Sequence, residues 1–293
     1  MAFPKETWAA QAYMAKAKYA GQFLPTLSKY RPDMGKGVKW HLTTIGSLTG
    51  QYNDYGSSTT VTYTSAGGET SAIDLETKDT AFKGFELDDD EINSSDINLI
   101  AGYTEQANKA IMNQIEKAVA LDMAINCASG NKIELASGNQ ITLANLQSME
   151  KNILDNGGDL ENNYLLVNAT YLINLQNVVD TNNVRIFLNK DYLDQKFLQL
   201  GVVGQILSFK VILSHNLPTL NDAGTAYDAA GETAMVYYNA DAFAVGIQSG
   251  IDIEVDRDAT NVPVVNNVLV KAYTGKATVD ANLSGHVREY SEP

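Results

Sequence analysis

The chain has 293 residues, of which 44% are hydrophobic and 19% charged, a composition typical of a globular protein that can bury a large core as one domain or two. It contains no run of about eighteen apolar residues, which excludes a transmembrane helix, and no secretory signal is expected because its N-terminus has no apolar core. Its single cysteine, Cys127, excludes an intrachain disulfide and a four-cysteine zinc site.

The net charge of −14 is unevenly distributed. Residues 1–39 contain seven basic and two acidic residues, so they carry 7 − 2 = +5 and the remainder carries −14 − 5 = −19. A basic segment on an acidic body suggests that the segment reaches an acidic partner, either another copy of the chain or nucleic acid. A solvated amphipathic helix is the more ordinary explanation, and charge alone does not separate the two.

The first 37 residues predict an N-terminal arm. Alanine and aromatic residues recur at helical spacing between Trp8 and Tyr19, which predicts a short amphipathic helix over 3–20. Residues 24–37 contain two prolines and two glycines, and they predict an extended segment rather than a packed element.

The period changes to two at Val38, which predicts a strand through VKWHLTTIG. A stretch rich in Gly, Ser, Thr and Tyr follows over 50–70, and residues 72–87 return as a second strand. An isolated hairpin is marginal in water, so we expect this long loop to lie on a neighbouring subunit.

Residues 95–127 give the strongest periodic signal, with apolar side chains at the spacing of one helical face. They predict a helix of roughly 45 Å. The positions assigned to its structural face are Ile97, Ile100, Ala107, Ile111 and Ile115. The acidic run at 86–91 before the helix lacks the spacing and the glycine of a calcium loop, so we interpret it as a solvated turn.

The remaining elements alternate between helices and strands. A helix is predicted over 142–156 with Thr142 as its cap, and Asn168 caps a second helix after a buried strand at 164–167. A glycine-punctuated turn leads into a strong strand between Gly201 and Ser214, and the last third of the chain is rich in strands.

The motifs of common enzymes are missing. The three histidines are far apart in sequence, and HExxH, GxSxG, GxGxxG and a phosphate-binding loop are absent. The chain has 35 Asp and Glu residues, so some pair of carboxylates is always available, and such a pair does not indicate a glycosidase. We expect no catalytic residue, metal site or cofactor.

The order of elements resembles that of tailed-bacteriophage major capsid proteins, which have the Hong Kong 97 (HK97)-type fold. The pieces that carry the resemblance are, in order, Phe3-Pro4 with Trp8, Gly37 to Leu42, Asp74 to Phe82, Glu86 to Asp90, Leu200 to Ile206, Phe209 to Val211, and Ser214 to Pro218. Ser208 departs from the pattern, since relatives commonly place a glycine there, so we expect a different turn.

The resemblance implies an α+β, HK97-like fold with an N-terminal arm, an E-loop hairpin, a spine helix, a peripheral domain and an apical domain. The implied boundaries are 1–37 for the arm, 38–88 for the E-loop and the start of the peripheral domain, 89–130 for the spine helix, 131–232 for the apical domain, and 233–293 for return strands mainly of the peripheral domain.

The resemblance also implies a function. Copies of the chain would form the pentamers and hexamers of an icosahedral shell around double-stranded DNA, located in the virion and assembled in the host bacterial cytoplasm. The implied partners are a separate scaffolding protein (only about forty residues precede the loop), a portal protein, possible decoration proteins, and DNA contacted non-specifically, with no membrane. The candidates for contact between subunits are Trp8, Lys16, Lys18, Arg31, Tyr52, Tyr55, Tyr63, Lys78 and Lys83.

Two alternatives stay open at the level of sequence. The same fold serves encapsulin-like nanocompartment shells, which enclose cargo enzymes, and a mixed α/β carbohydrate-active enzyme or adhesin represents another class. Some capsid proteins also form Lys–Asn crosslinks, for which Lys78, Lys83, Asn266 and Asn267 are available. No residue pattern marks them as reactive, and we interpret them as ordinary surface residues.

Overall fold

A computed structural model describes residues 23–34, 39–45, 70–76, 79–88, 99–135, 140–189, 202–221, 223–248, 252–258 and 265–289. This part of the chain is α+β, as predicted. Its helices are α1 (Leu99–Ile125), α2 (Leu143–Asp155) and α3 (Ala169–Gln176). Its strands are β1 (Lys29–Arg31), β2 (Lys39–Ile45), β3 (Thr70–Glu76), β4 (Asp79–Asp88), β5 (Lys132–Leu135), β6 (Asn163–Val167), β7 (Leu188–Asn189), β8 (Val202–Ile206), β9 (Phe209–Leu213), β10 (Thr219–Leu220), β11 (Glu232–Thr233), β12 (Met235–Asn239), β13 (Phe243–Ile247), β14 (Asp252–Asp258), β15 (Val265–Thr278) and β16 (Ser284–Glu289).

Two larger sheets organise these strands. In the first, which we call the long-strand sheet, β15 pairs antiparallel with β4, β13 and β14, and β1 adds in parallel to β13. The second is a seven-stranded sheet with the order β5-β16-β12-β6-β9-β8-β7. Separately, β2 and β3 form an antiparallel hairpin, as the change of period at Val38 predicts.

Helix α1 connects the two sheets. It contacts β4 and β15 of the long-strand sheet and β12 and β16 of the seven-stranded sheet. Ala107, Ile111 and Ile115 are buried, whereas Ile97 and the side chain of Ile100 lie outside the described residues. A single hydrophobic cluster spans α1 and both sheets, so the helix belongs to the core of each.

The predicted starts of α2 and α3 are confirmed at atomic detail. The Thr142 hydroxyl accepts a hydrogen bond from the Asn145 backbone N–H, and the Asn145 side chain accepts one from the Thr142 N–H. At α3, the Asn168 side chain accepts from the Tyr171 N–H at 2.8 Å. These caps satisfy N–H groups that have no partner inside the helix.

The interpretation of 24–37 as an unpacked extension is wrong over its described part. Phe23, Leu24 and Leu27 are buried in the main hydrophobic cluster, and β1 pairs with β13. Pro25 occupies the first turn of a short 3-10 helix, where its missing N–H leaves no hydrogen bond unmade. The prolines of this segment predicted an extended arm, but the segment packs on the body of the protein because its apolar side chains are buried in the core.

The strands after residue 232 contribute to both larger sheets. Strands β12 and β16 follow the implied apical region in sequence, yet they pair with β6 and β5 in the seven-stranded sheet. Among the described residues of the C-terminal region, the strands that join the long-strand sheet are β13, β14 and β15. Strand pairing is set by contacts distant in sequence, so local composition does not reveal which sheet each of these strands joins.

The turn between β8 and β9 contains Ser208, and its difference from the turn of capsid proteins stays a prediction. Leu207 precedes Ser208 between β8 and β9 and has a φ of 51°, a left-handed conformation that disfavours a branched side chain. The Asn163 amide donates to the Ser208 hydroxyl at 3.4 Å. The turn therefore places its strain at position 207.

Candidate functional site

The base of the β2–β3 hairpin packs on its own chain. Leu75 is fully buried, and together with Leu42 it forms a small cluster with Ala244 of β13. Gly246 permits this approach, since a Cβ there would lie 2.8 Å from a Leu75 methyl group. The support of the long loop by a neighbouring subunit stays a prediction, and residues 46–69 between β2 and β3 lie outside the described residues.

Two of the predicted subunit-contact residues are described. The Arg31 guanidinium lies 4.0 Å from the centre of the Trp40 ring, so it braces the hairpin base within the chain. Lys83 is exposed on β4. The others lie outside the described residues: Trp8, Lys16, Lys18, Tyr52, Tyr55, Tyr63 and Lys78.

One face of the long-strand sheet points away from α1. Phe85 stacks on Tyr103 of α1 with ring centres 5.6 Å apart, so the alternate positions of β4 face outward. Register aligns three rows of residues on what we call the outer face. The rows are Phe82, Lys271 and Asp252; Gly84, Leu269 and Glu254; and Glu86, Asn267 and Asp256.

The outer face is acidic. Four carboxylates (Glu86, Asp252, Glu254 and Asp256) accompany one lysine, Lys271. The Lys271 ammonium lies 2.5 Å from Glu254 and 3.6 Å from Asp252, and the hydrogen bond to Glu254 raises the pKa of Lys271. Within the described residues no ion pair involves Glu86 or Asp256, so a negative field remains over the third row.

A groove of about 610 Å³ crosses this face above Gly84. Glu86, Glu254 and Asp256 are among its lining residues. At one side Phe82 stands 68% exposed, a large apolar surface for a side chain in a strand. The outer face thus combines an open concavity, an exposed aromatic ring and excess negative charge.

The buried Cys127 and His286 do not form a catalytic dyad. The Cys127 sulfur lies 3.7 Å from His286 Nδ1, but that nitrogen also lies 2.9 Å from the Ala124 carbonyl, to which its proton is donated. Burial raises the pKa of the Cys127 thiol to about 11 and lowers the pKa of His286 to about 4. Both groups are therefore neutral, the opposite of a thiolate–imidazolium pair.

A second buried group ties a loop to β16. Arg288 is 1% exposed, pairs with Glu134 of β5 and donates to the Asn221 carbonyl. Gly224 in the same loop has a φ of 61°, and a Cβ there would lie 3.0 Å from His286 Nε2. These contacts position the loop that begins at Asn221, a structural role.

The described part of the chain shows no group of three His, Cys, Asp or Glu side chains that could hold a metal ion. It also shows no helix long and apolar enough to cross a membrane. His41 and His215 are exposed and lie on separate elements from His286. Among the described residues, the features that stand out are thus surfaces rather than a catalytic cluster.

Sequence reasoning missed the residues of the outer face. Glu86 was interpreted as part of a turn before the helix, but it lies in β4. Asp256, to which the sequence assigned no role, lies in β14. The alternation in DIEVDRD would have placed Asp252, Glu254 and Asp256 on one face, yet only the pairing with β15 brings Gly84 and Glu86 beside them.

Comparison with known proteins finds no match among family models or among curated proteins. Solved structures do match over most of the chain. A capsid structure of the cyanophage P-SCSP1u is 14% identical and has a TM-score of 0.58, with 90% of this chain and 86% of that chain covered. The mature capsid asymmetric unit of bacteriophage PhiM1 is 13% identical, with a TM-score of 0.58 and coverages of 92% and 87%. A structure from Microbacterium phage Oxtober96 is 12% identical, with a TM-score of 0.60 and 90% of both chains covered.

Proposed function

We propose that this chain is the major capsid protein of a tailed bacteriophage, which assembles into the pentamers and hexamers of an icosahedral shell around double-stranded DNA. One observation carries the proposal: the fold matches solved phage capsid structures over about nine-tenths of both chains. The chain thus has the HK97-like capsid fold that its order of elements predicted, at a sequence identity that establishes the fold alone.

The internal organisation supports a structural role. A 27-residue helix shared by two sheets makes a stiff body, and the described part of the β2–β3 hairpin packs against β13 and β15. An acidic body also suits a shell wall, because a basic wall would bind the packaged polyanion tightly. Both properties support a shell-forming function rather than an enzymatic one.

The first partner in this proposal is the chain itself. Scaffolding, portal and decoration proteins are further partners, with DNA contacted non-specifically. The mature location is the virion, and assembly takes place in the bacterial cytoplasm. These partners and locations depend on the capsid function, and evidence against that function would also count against them.

Expression of the full chain, alone and with the scaffolding protein of the same phage, tests the proposal. We expect closed particles of uniform diameter in negative-stain micrographs and in the void volume of a sizing column. A chain that stays monomeric under both conditions would exclude the function. A carbohydrate-active enzyme or adhesin would give such a monomer, with saccharide binding.

The contents of the particles separate a capsid from a nanocompartment. Particles from phage-infected cells should protect DNA from added nuclease. Particles that contain a folded enzyme and no DNA would favour the encapsulin-like alternative.

A further inference from the structure

Helix α2 ends in a turn that requires a glycine. Gly157 has a φ of 83°, the left-handed conformation that favours glycine. The Gly157 N–H donates to the Leu154 carbonyl at 3.0 Å, and the Gly158 N–H donates to the Ile153 carbonyl at 2.9 Å. This pair of hydrogen bonds is the Schellman motif, in which the residue before the left-handed glycine caps the helix. That capping residue is Asn156.

The cap and the glycine together form a reactive pair. Asn156 and Gly157 are the one Asn-Gly step of the sequence. The carboxamide carbon of an asparagine lies within reach of the backbone nitrogen of the next residue, and attack by that nitrogen closes a five-membered ring. A side chain on the next residue shields the nitrogen, whereas glycine leaves it open to reaction. Both residues are exposed, so water reaches this turn.

We propose that Asn156 is a site of spontaneous covalent modification, at which its side-chain amide becomes a carboxylate through a cyclic imide with the Gly157 nitrogen. The deprotonated Gly157 nitrogen bonds to Cγ of Asn156, the bond between Cγ and Nδ2 breaks, and Nδ2 takes a proton from water and leaves as ammonia. Water then opens the ring at one of its two carbonyl carbons. The product is aspartate or isoaspartate, in which the main chain runs through Cγ. The reaction consumes water and releases ammonia, and it needs no oxidant or cofactor.

The folded turn restrains both reacting groups. The Gly157 N–H is held by the Leu154 carbonyl, and the Asn156 amide donates to the Asn152 carbonyl at 2.7 Å. The ring can close only after these two hydrogen bonds open. Because the turn is at an exposed helix end, opening requires local fraying rather than unfolding of the whole chain. The Schellman motif therefore sets the rate of the reaction.

The isoaspartate product does not fit the turn. It adds one main-chain carbon between Asn156 and Gly157, next to the closely packed Gly158. A Cβ at Gly158 would lie 2.3 Å from an Ile153 methyl group and 3.2 Å from a Leu283 methyl group. Either product also places a negative charge at the C-terminus of α2, where the helix dipole disfavours it. Modification should thus loosen α2 from β12 and from the turn that precedes β16.

Peptide mapping of the full-length protein tests the reaction. The protein is incubated in mildly alkaline buffer and digested, and mass spectrometry with fragmentation that distinguishes isoaspartate follows each asparagine. Asn156 should convert faster than the exposed Asn162, which precedes another asparagine and serves as the internal control. Unfolding in urea should speed the conversion of Asn156 by about tenfold or more, because the two restraining hydrogen bonds are then absent.

Substitutions at the exposed cap test the consequence for stability. Asn156→Gln keeps an amide but would have to close a larger ring, so its thermal unfolding temperature should stay constant during incubation while that of the wild type falls. Asn156→Asp carries the charge of the product from the start and should unfold at a lower temperature than fresh wild type. Asn162→Gln is the matched control and should age as the wild type does.

Each result supports or overturns a stated part of the inference. Conversion of Asn156 no faster than that of Asn162 in the folded protein would overturn the modification site. Conversion that does not speed up in urea would overturn the restraint by the turn. An equal fall of the unfolding temperature in the wild type and Asn156→Gln would overturn the effect on α2. None of these measurements requires particles, so their outcome is independent of the proposed shell function.

Discussion

The buried environment of His286 opposes the charged form of its imidazole. It is fully buried on β16, and Lys132 and Arg288 add positive charge nearby while Glu134 partly offsets it. Desolvation is the largest cause that lowers its pKa from 6.5 to about 4. The folded protein therefore binds a proton at this site less readily than the unfolded chain.

Stability should consequently fall as the pH falls from about 6.5 to about 4. Above this window His286 is neutral in both the folded and the unfolded chain. Within the window the unfolded chain binds a proton at this residue and the folded chain does not, which lowers the free energy of unfolding by up to about 3 kcal/mol. The replacement His286→Asn keeps a donor for the Ala124 carbonyl and removes the titration. Urea unfolding at pH 7, 6 and 5 should show a smaller loss of unfolding free energy in His286→Asn than in the wild type.

The exposed His215 provides the control, and His215→Asn should retain the wild-type dependence on pH. Equal slopes for the wild type and His286→Asn would show that His286 does not limit stability in acid.

At the scale of elements, the segment Phe23–Arg31 changes what a truncation should do. The prolines and glycines of 24–37 predicted an extended arm, and deletion of residues 1–36 was then expected to leave a folded core that assembles poorly. The structure corrects this expectation, because Phe23, Leu24 and Leu27 are buried and β1 pairs with β13. The boundary of the removable arm is therefore at residue 22.

Deletion of 1–22 should leave a folded protein that assembles poorly, whereas deletion of 1–36 should unfold or aggregate it. Each large apolar side chain removed from the core costs roughly 1.5–3 kcal/mol, so the three together approach the whole stability of a typical protein. Circular dichroism melts and sizing chromatography of both truncations measure the difference. A cooperative, wild-type melt of the longer deletion would contradict the packing of this segment.

At the scale of the whole molecule, α1 makes the two sheets interdependent. Its buried residues belong to the same hydrophobic cluster as those of β15 and β12. Ile111 is 1% exposed near the middle of the helix, and Gln114 is exposed one turn away.

The substitution Ile111→Asp should therefore lower the stability of both sheets at once. A buried, unpaired carboxylate costs several kcal/mol, and the loss is shared because the helix is shared. Amide hydrogen exchange should show reduced protection in β15 and β12 together, while Gln114→Asp should leave both unchanged. Loss of protection in β15 with full protection in β12 would show that the sheets are stabilised independently.

Features that depend on residues close together in the chain can be predicted from the sequence. Helix α1 follows from apolar spacing, and the caps Thr142 and Asn168 are recognisable because each acts within three residues of itself. The β2–β3 hairpin follows from its period of two. The imbalance of charge between residues 1–39 and the remainder is also a property of sequence alone.

The pairing of strands that are distant in sequence became visible in the folded structure. β15 brings Gly84 beside Glu254 and Asp256, which are about 170 residues further along the chain. The same kind of long-range pairing placed β12 and β16 in the seven-stranded sheet and Phe23 in the core. Periodicity identifies which face of a strand is buried, but the choice of partner depends on the packing of the whole chain, and the groove on the outer face exists only once that choice is made.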